Sequence, residues 1–449
     1  MAGETVRLAE YASALRYDDL PSDVVQRAKD CVIDTVAVIA QGSGLPWSKI
    51  IVRYAQRVGA GGNCCILGAG GPPVQAFAAA LANGALAHAF ESDNLTMPGV
   101  GVHPGATLLP PALAIAQEHG SSGRDLILAV VAGFEVMYRI GRATKHSNER
   151  RGFHAPGTTG PFGAAVAAGK LLRLDEQRMT NALGIAGSLA GGLMEFARSG
   201  SGAMVKRLHL GRAAESGVVA ANLATEGFTG PSGVIEGEAG FLKVFCTEWD
   251  IADLTRDLGC EFATRNLCLK RFPVHMTAQT AVQAIVELQA EHGFSGAHVD
   301  RVTVAGSERM ATINNIPEPT DIMMAQYSIP FCVALALFRD PRDPASYDPS
   351  ALADAGIREM CRCVEVTLAD PPSRTPGASR VTIRLRDGRV MAREVEEFDG
   401  TPARPLTPAA LRDKFTMMMH ASGTPELADA FDRLQNLENE ADLRWIGAA

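Results

Sequence analysis

Apolar positions recur at helical spacing through most of the first 260 residues, and polar clusters interrupt them in only a few places. Val25, Ala28, Val32, Val36 and Ile39 form one such series, opened by Ser22-Asp23 and closed by Gly42; intervals of three and four put them on one face of a capped helix. Comparable runs cover 74–90, 106–117, 126–140, 163–172 and 179–193, all rich in Ala and Gly and poor in aromatics. Small side chains let helices approach closely, so this part predicts an all-helical domain.

The period changes near Cys260. Residues 276–291 read as one more helix with Ala278, Val282, Ile285 and Val286 on a face, but 299–305 and 364–368 alternate, as half-buried strands do. Segments 379–385 and 390–395 flank Asp387-Gly388, which predicts a hairpin closed by a tight turn of the primed type. Helix returns at Thr407-Pro408, with Leu411, Phe415 and Met418 inward, and at Thr424-Pro425, with Leu427, Phe431 and Leu434 inward. The expected fold is mixed: a large, discontinuous all-α helical domain (1–263 and 404–449) and a smaller α+β domain (264–403).

A chain of 449 residues exceeds the usual size of a single core, which agrees with two domains. The net charge of -8, with no basic stripe, argues against a nucleic-acid partner. It leaves small anionic substrates open, since local cations act against an acidic total. Nine cysteines occur without a CxxC, so buried reduced thiols are expected rather than structural zinc or an iron-sulfur cluster. The N-terminus has no basic-then-apolar leader pattern. The best candidate for a membrane span, 126–140, is too short to cross a bilayer and carries Glu135 and Arg139. A soluble, cytoplasmic protein without membrane contact is expected.

Chemically dense stretches stand out from this background. The densest is His88-Ala-Phe-Glu91-Ser92-Asp93, followed by a Pro/Gly-rich turn to His103. His88 precedes Glu91 by three residues, so the two can share a helical face, and imidazole–carboxylate pairs suit proton transfer. The plainer reading is a capping acid beside satisfied core histidines. The second stretch, Gly152-Phe-His154-Ala-Pro-Gly, places His154 ahead of a helix expected from Gly163, where free N–H groups favour an anion. The third, beginning at Arg198, carries Lys206, Arg207 and His209; a lysine there clamps a carboxylate or simply solvates a basic turn. The fourth is Lys270-Arg-Phe-Pro-Val-His275 at the domain boundary, with Tyr327 further on in a segment that also reads as the start of a buried helix. No GxGxxG follows a strand, and neither GxSxG nor HExxH occurs, so dinucleotide, α/β-hydrolase and zinc-protease readings lose support.

Taken in order, Asp34-Thr-Val-Ala-Val, the His88 loop, Gly152-Phe-His154, Lys206-Arg-Leu-His-Leu-Gly, Lys270-Arg-Phe-Pro and Tyr327-Ser-Ile-Pro resemble the MmgE/PrpD family of 2-methylcitrate dehydratases, cis-aconitate decarboxylases and iminodisuccinate epimerases. The resemblance implies a helical domain built from both chain ends, an α+β lid, a homodimer, and catalysis with no metal or organic cofactor. It implies a lyase acting on a small di- or tricarboxylic acid, a dehydratase of the 2-methylcitrate type first, with a decarboxylase or epimerase as alternatives. A non-catalytic carboxylate binder on the same scaffold is the rival from another class. Under the resemblance His103 and His154 handle protons, Lys206 and Lys270 hold carboxylates, and Glu91 and Asp93 orient the imidazoles or act as acid. His88, Arg207, His209, His275 and Tyr327 complete the substrate-binding set. The family loop commonly reads His-x-x-Asp-Phe-Asp-Asp-Thr, and this chain departs from it at Glu91, Ser92, Asn94 and Leu95; Gln279 stands where relatives often show a histidine.

Overall fold

The Ala-rich runs fold as helices whose small residues set the packing distance. In chain order they are α1 (Ser22–Ser43), α2 (Ala76–Ala87), α3 (Pro104–His119), α4 (Gly123–Ala143), α5 (Ala155–Leu171), α6 (Glu176–Ser188) and α7 (Val205–Thr225). Where α2 meets α7, a Cβ on Gly84 would sit 3.0 Å from the Gly211 Cα, and one on Gly211 would sit 2.4 Å from the Leu81 carbonyl oxygen. Only glycine permits this backbone approach.

The computed structural model describes residues 3–197, 203–373, 375, 377–424 and 429–447. Their contacts group into two units. The first comprises Met1–Ala89, Asp93–Cys268 and Ser422–Ala449, and the second Phe90–Ser92 with Leu269–Ala421. The grouping changes at 268/269 and 421/422, where the sequence suggests 263/264 and 403/404, and it assigns a tripeptide of the His88 loop to the second unit.

Two local features of the first unit differ from the sequence reading. Helix α1 is preceded by Pro21 with no side-chain cap; Asp23 instead pairs with Arg265 at 2.6 Å. Helix α5 begins at Ala155, not Gly163, through two prolines. Pro156 lies in the first turn, where no intrahelical N–H bond is lost. Pro161 cannot bond the Gly157 carbonyl four residues back, and Gly191 N–H takes that oxygen instead at 3.2 Å. The Thr424-Pro425 start of the last expected helix, with Leu427, falls on 425–428, outside the described residues; Phe431 and Leu434 are buried in the following helix, Ala430–Gln435.

The charges inside α4 are satisfied locally. Glu135, fully buried, accepts from Arg139 at 2.6 Å, from the Ala263 and Thr264 amides at 2.9 Å, and from the Thr264 hydroxyl at 2.9 Å. Arg139 in turn donates to the Glu261 carbonyl at 2.9 Å. No described helix is long and apolar enough to cross a membrane. The nine thiols are free, six of them buried, with Cys65 and Cys363 partly covered and Cys260 exposed.

In the second unit, α8 (Met276–His292) is followed by β1 (Val299–Gly306), α9 (Ile322–Tyr327), α10 (Ile329–Phe338), β2 (Val364–Leu368), β3 (Ser379–Leu385), β4 (Val390–Val395) and α11 (Pro408–Ser422). The strand order is β2-β1-β3-β4, with β1/β2 parallel and the other pairs antiparallel. Val302 pairs with Val364 and Ile383, and Val304 with Val366 and Val381; all are buried, so period-two alternation builds one apolar face. Helix α8 packs on β3 and β4. The hairpin turn is not of the primed type, because Gly388 alone in it has positive φ (+91°). Its amide bonds the Leu385 carbonyl at 3.0 Å, the pattern of a type I turn ending in a left-handed glycine.

Replacing Glu135 with Ala removes the acceptor while leaving Arg139 buried. A loss of about 3–5 kcal/mol in unfolding free energy is expected, read from the urea midpoint; an unchanged midpoint would show that the network contributes nothing.

Candidate active site

The densest polar cluster of the first unit sits where α2 ends and α3 begins. His88 follows the last residue of α2, and His103 immediately precedes Pro104 of α3. Between them Asp93 receives both rings: His88 Nδ1 lies 2.7 Å and His103 Nδ1 2.8 Å from the same oxygen, Oδ2. An ionised carboxylate only accepts hydrogen bonds, so both imidazoles carry their proton on Nδ1 when neutral. His88 is therefore the partner of Asp93, not of Glu91 as the helical spacing suggests, because α2 stops at Ala87.

Asn94 anchors this arrangement. Its amide nitrogen donates to Asp34 Oδ2 at 2.9 Å and Thr35 Oγ1 at 3.0 Å on α1, and its oxygen accepts the Gly105 amide of α3 at 2.7 Å. The departure from the family's acidic residue thus serves a structural contact. Leu95, another departure, pairs with Cys268 in a two-residue ladder.

His154 is the residue that opens α5, and its ring centroid lies 6.0 Å from that of His88. His209, on α7, places its Nδ1 3.1 Å from His154 Nδ1, and Phe196 packs edge-on against His154 at 5.2 Å. The anion cradle expected at the α5 N-terminus is sparse: Pro156 has no N–H, and the Gly157 amide already bonds the His154 carbonyl at 3.0 Å. Lys206 and Arg207 lie buried in the first turn of α7; the preceding 198–202 lie outside the described residues. Arg207 donates to the Ala89 carbonyl at 3.1 Å and stacks on Trp47 with 4.2 Å to the ring centre.

Burial pushes the His88 pKa down to about 4, with Asp93 opposing and Lys206 adding to the shift. Burial likewise holds His154 well below its ordinary 6.5, helped by His88, Lys206 and His209 around it. Both rings are neutral near pH 7. His103 differs in access: its side chain is 20% exposed, against 1% for His88 and 2% for Asp93. The cluster is a buried relay with one open end.

The second unit holds its own charged cluster. Glu91 adopts the left-handed conformation (φ +53°) that side chains other than glycine rarely take. Its carboxylate accepts from Lys270 at 2.9 Å and from the Tyr327 hydroxyl at 3.0 Å. Lys270, 1% exposed, is thus ion-paired. His275 stacks on Tyr327 with centroids 4.6 Å apart and caps α8 through Thr277. Three residues that motif reading gave no site role hold the tripeptide and the Lys-Arg-Phe-Pro loop. Gln326 donates to the Phe90 and Pro273 carbonyls, both at 2.8 Å; Lys414 donates to the Ser92 carbonyl at 3.1 Å; and Gln279 bonds the Phe272 carbonyl at 2.7 Å. Amides carry no motif signature, so only their burial betrays them.

Among the described residues, the grouping nearest to a metal-ligand set is His88, Asp93 and His103, with donor atoms within 4.8 Å of one another. Both Nδ1 atoms are spent on one carboxylate oxygen at hydrogen-bond distance. Such an arrangement can pass a proton between imidazole and carboxylate, and it leaves both Nε2 atoms outside that shared bond.

Comparison with known proteins agrees with the resemblance seen in the motifs. Residues 6–253 match the MmgE/PrpD N-terminal domain and residues 272–438 the MmgE/PrpD C-terminal domain. The chain is 29% identical to the cis-aconitate decarboxylase-like protein oryM of Aspergillus oryzae, over 97% of this chain and 93% of the relative. It is 30% identical to the cis-aconitate decarboxylase of Aspergillus terreus, over 88% and 85%. Against the human cis-aconitate decarboxylase the identity is 26%, over 97% and 92%.

The depressed histidines make stability depend on pH. The unfolded chain protonates near 6.5 while folded His88 waits until about 4, so the unfolded state binds more protons between these values and stability falls as pH falls. The contribution is complete above pH 6.5. By pH 5 His88 alone costs on the order of 2 kcal/mol. Urea midpoints at pH 7 and pH 5 check this: the wild type should lose stability, and His88→Asn should lose less.

Proposed function

The chain belongs to the MmgE/PrpD family and is a lyase, and from that premise we propose that it decarboxylates a small unsaturated tricarboxylate of the cis-aconitate kind. The observation that carries the reading is His103, the open end of an otherwise buried carboxylate–imidazole relay. A carboxylate placed β,γ to a carbon–carbon double bond loses carbon dioxide when its C–C bond breaks and the electron pair passes into the conjugated carboxylate. The resulting carbanion needs a proton at its far end. In this reading His103, whose Nδ1 is held by Asp93 at 2.8 Å, delivers it from Nε2.

Lys206 supplies the complementary charge, a buried ammonium on α7 whose field disfavours protonation of His88 and His154. The same field favours a substrate carboxylate and the charge that develops on it as carbon dioxide departs. His154, neutral by burial, accepts or relays protons rather than holding one. Motif reading alone favours dehydration of a 2-methylcitrate-type acid, which needs the same proton handling. The relatives named above are decarboxylases or decarboxylase-like, and they move the weight to loss of carbon dioxide.

Incubation in deuterium oxide with cis-aconitate and, separately, 2-methylcitrate separates the two. The proposal expects carbon dioxide release from cis-aconitate with one deuterium in the product. Loss of water from 2-methylcitrate, with no decarboxylation, would overturn it. His103→Gln is expected to lower kcat by about 10²- to 10⁴-fold.

A further inference from the structure

Beyond the partly exposed His103, one buried group of the relay has no task in the proposed reaction. His88 is 3% exposed and presents Nδ1 to Asp93 at 2.7 Å. Its Nε2 is buried with no hydrogen-bond partner among the described residues. Its ring meets that of His103 edge-on, with centroids 4.9 Å apart. A core position chosen for stability alone does not place an imidazole where one nitrogen goes unpaired. The position is defined by what Nδ1 does.

We propose that His88 is a positioning residue: by donating Nδ1–H to Asp93 Oδ2 it fixes the carboxylate so that the same oxygen takes the Nδ1–H of His103, directing His103 Nε2 to proton transfer. This rests on the lyase reading for its kinetic consequence, though not for its structural one. His88 also sets the strength of the relay. A carboxylate oxygen already holding one hydrogen bond attracts a second donor less strongly, so loss of the His88 bond strengthens the one from His103. The charged and titratable groups around the pair are Asp93, Lys206, His154 and, beside His154, His209; all keep their identity when His88 is changed, and His154 loses one neighbour that disfavours its protonation.

Two substitutions separate positioning from packing. His88→Asn keeps a donor near the place of Nδ1, and His88→Leu removes it while filling the space. With His88→Leu, kcat is expected to fall by up to about 10²-fold with KM nearly unchanged. Activity that needs protonated His103 is lost as pH rises through the His103 pKa, so the alkaline limb of the pH–rate profile should move to higher pH. His88→Asn should restore both the rate and the limb. Equal losses in the two variants with an unmoved limb would reduce His88 to a packing residue and overturn the proposal.

A second readout needs no substrate. The imidazole ¹⁵N titration of His103, assigned by its loss in His103→Gln, should move to higher pH in His88→Leu and stay near wild type in His88→Asn. Identical titration curves in all three proteins overturn the proposal, whether or not any polycarboxylate is turned over. If His88→Leu does not fold, His88→Gln takes its place, because its amide reaches toward the Nε2 position and leaves Asp93 without the donor at Nδ1; the same upward shift is expected.

Discussion

One carboxylate oxygen, Asp93 Oδ2, takes hydrogen bonds from two imidazoles that enter from the end of α2 and the start of α3. Both rings must present Nδ1–H to it, which leaves lone pairs at both Nε2 positions. Burial then separates their fates. His88 is held neutral, whereas His103 reaches the opening. The backbone is made to fit this junction. Asn94, next in the chain, ties α1 to the first turn of α3, so the spacing that lets two histidines share one oxygen is fixed by buried amide contacts.

The residues just before Asp93 show what that junction costs. Glu91 stands in a left-handed conformation, a strain on the order of 1–3 kcal/mol for a non-glycine residue. The charge-assisted bond from Lys270 and the bond from Tyr327, with Gln326 and Lys414 on the flanking carbonyls, offset it; each bond involving a charged group contributes about 1.5–3 kcal/mol. The extra methylene of Glu91, relative to the family's Asp, lets one carboxylate meet both an ammonium and a phenol from this backbone. The tripeptide belongs by its contacts to the α+β unit, while Asp93 and His88 on either side belong to the helical one.

Much of this was legible in the residues. Helical periodicity located α1 to α4, and period-two alternation located the strands, because burial of one face imposes both patterns. The start of α5 was not legible: its first nine residues include two prolines and three glycines, and the helix persists there because Gly191 takes the carbonyl that Pro161 cannot. Nor was the Asp387-Gly388 turn, where either of two hairpin geometries suits the dipeptide. Histidines and lysines announced the site by type, but their partners did not follow from spacing. His88 turned to Asp93 rather than Glu91, and Gln326 and Lys414 act through buried side chains that no motif records.

The account depends most directly on which nitrogen of each relay histidine carries the proton. Ring ¹⁵N shifts of His88 and His103, followed without substrate to the alkaline plateau of each ring's titration, report it. Both rings are predicted to be Nδ1–H tautomers with unprotonated Nε2. Nε2–H tautomers at either position would mean that Asp93 does not receive both rings, and the relay as described would not exist.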